Sequence, residues 1–154
     1  MGVNRPDYLA VGSRGRGFHV VAAVAGFDNA LQAAYAASPV AALTTGMWPD
    51  FAPDKAAGGP QFPFITYQFT GNVPDNSMLQ TVDDLYVTFH IRSGDISPLE
   101  VTDIFTAFVT AFDGAVLPVV GWTTVRLDRV GGGRSMDQDG GWVWVVNYKW
   151  HLQQ

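Results

Sequence analysis

Three histidines, His19, His90 and His151, are the first residues to test for chemistry, because imidazole ligates metals and moves protons near neutral pH. His90 and His151 fall in strand-like runs and could lie near each other. A metal site would still need a third ligand, and no H-x-x-x-H or related spacing supplies one. Both read as half-exposed strand histidines. Carboxylates pair at Asp83-Asp84 and at Asp137/Asp139, a pattern that can serve acid–base work or hold a divalent cation. The run Asp137-Gln138-Asp139-Gly140 is too short for a calcium loop and lacks its terminal Glu, so it reads as a turn. Gly131-Gly132-Gly133-Arg134-Ser135 lacks the Gly-Lys-Ser/Thr of a phosphate loop, and no helix follows it. No serine sits in a G-x-S-x-G setting. The chain has no cysteine, which excludes disulfides and thiolate sites. No catalytic residue, metal ligand or cofactor is therefore assigned, and an enzyme is not expected.

Composition narrows the remaining classes. The 154 residues suit one domain, and 47% hydrophobic with 13% aromatic residues can build a core without staples. A net charge of −5 argues against a broad basic face for duplex DNA. Charged residues make up only 15%, which suggests a subunit that hides surface in an oligomer. The alternative is a monomer clothed in Ser, Thr, Gln and Gly. The longest apolar run, residues 18–25, is far shorter than the ~20 residues of a membrane span. Arg14 and Arg16 precede it as in a signal peptide, but Asp28, Asn29 and Gln32 follow at once, so secretion is not expected.

The elements that would position these residues follow from periodicity. Ser97, Pro98 and Glu100 read as a helix start, with Ser97 as cap and Glu100 reaching back to it. Val101, Ile104, Phe105, Phe108, Val109 and Phe112 then recur on one helix face, and Asp113-Gly114 ends it. An Ala-rich helix is expected from about Phe27 to Ala37, stopped by Pro39. Residues 44–48 suggest a short strand, residues 49–60 a Pro/Gly-rich loop, and residues 62–70 a strand. Residues 85–92 alternate, with Leu85, Val87, Phe89 and Ile91 on one side. Residues 123–130 and 141–151 are the closing strands. In the last, Trp142, Trp144, Val146, Tyr148 and Trp150 share a face that reads as core or, failing that, as interface. Residues 71–81 and 131–140 read as long polar loops. The expected fold is α+β, an antiparallel sheet of four to five strands with two helices packed on one face. Residues 1–17 are expected as a flexible N-terminal arm, and residues 18–154 as a single domain.

The order of these pieces resembles the tail-terminator (tail-completion) proteins of long-tailed bacteriophages. The matching segments are residues 29–37, Met47-Trp48-Pro49 through Pro53, Phe62-Pro63-Phe64-Ile65-Thr66-Tyr67, residues 85–93, Ser97-Pro98-Leu99-Glu100-Val101, and Asp139-Gly140-Gly141-Trp142. The resemblance implies a structural virion protein at the head–tail junction of the phage tail, assembled in the host cytoplasm. Such proteins form a ring, usually a hexamer, on the last ring of tail-tube protein, stop tube growth, and offer a surface to the head–tail connector protein. DNA would pass through the lumen without sequence-specific binding. Another head–tail connector component shares this outline, and a small α+β ligand-binding domain is the remaining alternative. Read as a ring subunit, the chain offers Phe62 and Phe64 at an edge, and Asn72, Asp75 and Asn76 in the first loop. Arg134, Met136 and Asp137 in the second loop and Trp150 on the aromatic strand complete the candidate interface.

Overall fold

The computed structural model describes residues 14–50, 52, 61–77, 80–122 and 124–153; of these, 14–23, 72–77, 80–83, 124 and 125 are described by backbone alone. Three helices, α1 (Arg14–Ala36), α2 (Val40–Leu43) and α3 (Leu99–Phe112), accompany five strands. The strands are β1 (Met47–Pro49), β2 (Phe64–Ser77), β3 (Gln80–Ser93), β4 (Thr124–Met136) and β5 (Trp142–Gln153). They form one sheet in the order β1-β2-β3-β5-β4. All neighbours are antiparallel except β1 and β2, which pair in parallel from Met47↔Ile65 to Pro49↔Tyr67. The fold is thus α+β with a mixed sheet, where the sequence suggested an antiparallel one.

The core lies on one face of this sheet. Alternation puts Leu85, Val87, Phe89 and Ile91 of β3 beside Val146, Tyr148, Trp150 and Leu152 of β5, and all are buried. Helix α3 lays Val101, Ile104, Phe108 and Phe112 onto them. Phe108 sits 4.9 Å from Phe89 and 6.1 Å from Tyr148, centroid to centroid. Phe105, at the margin, stacks on Trp144 at 3.9 Å and 10°. Helix α1 covers the same face, with Phe27 against Trp150 at 4.3 Å. A polar network fixes its height. Tyr67 donates to Asp28 at 3.0 Å, and Gln32 donates to the Met47 carbonyl at 3.0 Å. Burial raises the pKa of both Asp28 and Tyr67, which keeps the phenol protonated.

Several local expectations change. Helix α1 begins at Arg14 rather than Phe27, so residues 14–17 of the expected arm are helical, while residues 1–13 lie outside the described residues. The expected 49–60 loop also lies mostly outside them. Ser97 does accept the Leu99 N–H at 3.3 Å, but Glu100 turns away from the cap to take a hydrogen bond from Ser93. The two long loops are largely strand. β2 and β3 stay paired out to Ser77↔Gln80, and β4 runs through its glycines to Met136↔Trp142. Residues 71–77 and 80–83 are mostly polar, so they show no apolar alternation. Glycines likewise erase the alternation of β4.

Candidate assembly interface

The opposite face of the sheet carries no helix among the described residues, and it ends in an aromatic and charged cluster. At the start of β2, Phe62 is 41% exposed and stacks on the buried Phe64 at 5.1 Å; Trp48 of β1 meets Phe64 edge-on at 6.2 Å. A side chain at Gly94 would collide with the Phe62 ring at 2.9 Å, so this glycine lets the strand end pass under the ring. At the end of β3, Arg92 makes an ion pair with Asp137 at 2.7 Å. Asp137 opens the turn between β4 and β5. Its N–H donates to the Gly141 carbonyl at 2.7 Å, and Gly140 takes φ +82° to close it. Phe62, Arg92, Gly94, Asp137, Asp139 and Trp142 border a cavity of about 420 Å³.

Large apolar side chains gather around the same end. Trp142 donates its indole N–H to the Ile96 carbonyl at 2.9 Å, and the Ile96 side chain is 88% exposed. Leu99 and Met136, the latter paired with Trp142, are also exposed. Arg134 is exposed but not loose. Its guanidinium lies 5.1 Å over Trp142 and 5.8 Å over Trp144, and donates to Thr102 of α3 at 3.2 Å.

The sequence candidates therefore divide. Phe62, Phe64 and Asp137 meet at one end of the sheet, with Arg134 and Met136 adjacent on β4. Asn72, Asp75 and Asn76 lie on the distal half of β2, at the other end, and their side chains are outside those described. Trp150 is the correction. It is fully buried between Phe27 and Phe69, because its strand parity matches Val146 and Tyr148 and turns it under the helices. Arg92, Ile96, Leu99 and Trp142 were not singled out. An exposed Ile-Ser-Pro-Leu run between a strand and a helix was the available signal.

His90 and His151 do not converge. His90 is opposite Val145, whereas His151 is opposite Asp84, six residues along β3. His151 Nδ1 lies 2.6 Å from Asp84, and Lys149 pairs with the same carboxylate at 2.8 Å. That hydrogen bond to Asp84 raises the Lys149 pKa. Asp128 stands 3.6 Å from His151 Nε2 and 2.9 Å from Arg126. Every charge in this group has an opposite partner, and a base with an adjacent nucleophile is not among them. Among the described residues, no three His, Asp or Glu side chains come together as a metal would require. No described helix is long and apolar enough to cross a membrane.

The described residues form a small α+β unit with no helix on one sheet face and an apolar, aromatic rim at one end. The family model for tail completion protein gp17 matches residues 29–153, and the chain belongs to that family. It is a structural protein of the phage tail, with its place in the virion. Among solved structures it is similar to a chain of "Virion of native gene transfer agent (GTA) particle", at 11% identity and TM-score 0.63, over 75% of this chain and 85% of that one. At that identity the likeness speaks for the fold. No curated protein matches the sequence.

Proposed function

We propose that the protein forms a closed homo-oligomeric ring, a hexamer, at the head-proximal end of the tail. There it ends growth of the tail tube and joins the tail to the head–tail connector. The family match across residues 29–153, which spans every strand of the sheet, carries this reading. The surface chemistry supports it. Ile96, Leu99, Met136 and Phe62 offer apolar contact, and the low charge content lowers the cost of desolvating an interface. A net charge of −5 suits a lumen through which DNA passes without sticking. Phe62, Phe64, Met136 and Asp137 would face a neighbouring subunit or the adjoining ring. Assembly in the host cytoplasm precedes incorporation into the virion.

Native mass measurement and imaging of the purified chain test this reading. A closed ring of six copies is expected, alone or on added tail tubes. A chain that stays monomeric under both conditions would overturn it.

A further inference from the structure

We infer that neighbouring copies in such a ring are joined by strand pairing, with the edge of β4 in one subunit meeting the distal edge of β2 in the next. The inference rests on the ring reading and names the surface that makes it. Its basis is the backbone of β4 and β2 that pairs with no second strand among the described residues. On the β4 side, residues 114–116 cover only the first part of the edge. Val116 bridges Arg126, and Leu127 exchanges hydrogen bonds with Gly114 and Ala115 at 2.8 and 3.0 Å. From there to Met136, β4 pairs with β5 alone among the described residues. On the β2 side, β1 covers only residues 65–67, and Asp50 adds a hydrogen bond to Tyr67. From there to Ser77, β2 pairs with β3 alone among the described residues. The edge of β1 itself is occupied by Gln32, whose amide donates to the Met47 carbonyl.

An open strand edge is a template for another strand, and proteins that must stay single block it with Lys, Pro or short length. Residues 130–136 carry none of these. They hold three glycines, and Arg134 is turned onto Trp142 and Trp144. On β2 the first block is Pro74, which leaves residues 69–73 to pair. The two open stretches differ and lie on opposite sides of one sheet. That is what a head-to-tail contact needs, since identical edges pairing with each other would close a dimer.

They also lie at opposite ends. Gly133 is level with Val145, His90 and Thr66 across the sheet; Gly71 is level with Tyr86, four residues along β3 from His90, because β2 carries one bulged residue before it. Bringing Gly133 of one copy beside Gly71 of the next therefore staggers them by about 13 Å at ~3.3 Å per residue. In a closed ring such a stagger inclines the strands to the axis, as tilt and stagger are linked in barrels.

The absence of cysteine makes a cross-linking test clean. A Cβ at Gly133 meets nothing within 4 Å, and at Gly71 only the Tyr86 ring at 3.9 Å, so both sites accept a side chain. Gly133→Cys would be combined in turn with Thr70→Cys, Gly71→Cys and Asn72→Cys, and oxidised after assembly. One combination should give a ladder of covalent multimers, and the single variants none. On the unmodified protein, amide hydrogen exchange in residues 69–73 and 130–136 should slow on ring formation. Covalent dimers from Gly133→Cys alone would overturn the inference in favour of pairing between identical edges. Intact rings with neither cross-link nor slowed exchange would overturn it while leaving the ring standing. Failure of the unmodified chain to form rings would instead remove the ring reading, and this inference with it.

Discussion

Arg92 at the end of β3 holds Asp137 at the turn between β4 and β5, 2.7 Å across, and so fixes the corner on which Phe62 and Trp142 sit. Both partners are about one-third exposed, so the pair adds less than ~1 kcal/mol to folding. Asp137→Ala should therefore barely move the denaturant midpoint, yet lower the fraction of protein eluting as a ring. A large loss of folding stability with unchanged assembly would show the pair to be a scaffold contact only.

Phe108 is the centre of the packing between α3 and the sheet, fully buried against Phe89, Phe112 and Tyr148. Phe108→Ala should cost about 3–5 kcal/mol, the usual range for a large core truncation. Equilibrium urea unfolding measures it, and a loss below ~1 kcal/mol would mean the helix face is not core.

Gly132 and Gly133 are adjacent on β4 but differ in what they tolerate. At Gly132, where φ is +153°, a Cβ would stand 2.3 Å from the Val145 carbonyl oxygen, whereas Gly133 has open space. Gly132→Ala should destabilise by more than ~1 kcal/mol, and Gly133→Ala by no more than about 0.5 kcal/mol. Equal effects in thermal unfolding would contradict this.

Helix α3 and strands β3 and β5 were legible in the sequence because each has one face in the core, so the burial pattern is written as a period. β4 was legible only to Val130, since glycines carry no pattern. Residues 71–77 and 80–81 looked like a loop because they are mostly polar and carry no apolar period. The parallel pairing of β1 left no mark, because three residues are too few to show direction. The candidate interface was half legible. Phe62 and Asp137 stood out as an aromatic beside proline and an acid in a turn. Their common neighbour Arg92 did not, since nothing local links it to an acid 45 residues away. Trp150 stayed open between core and interface because strand parity was known but the face covered by α1 was not.

His90 lies half-buried on the helix-free face. Burial, with the Arg92 guanidinium adding to it, holds its imidazole below the ordinary histidine value. The folded state thus resists a proton that the unfolded chain accepts. This contribution is fully present above the ordinary value near ~6.5, and is lost as pH falls from there through the lowered one. Urea midpoints at about pH 7.5 and about pH 5.5 should fall further for the native chain than for His90→Gln. An equal fall in both would remove His90 from the acid response.

Tail length in particles made without this protein addresses the proposed role most directly. Electron micrographs of a phage whose copy is deleted should show heads and tails that fail to join, with tails of abnormal length. Tails of normal length, with the defect confined to retention of DNA in the head, would contradict the terminator role and place the ring in the connector instead.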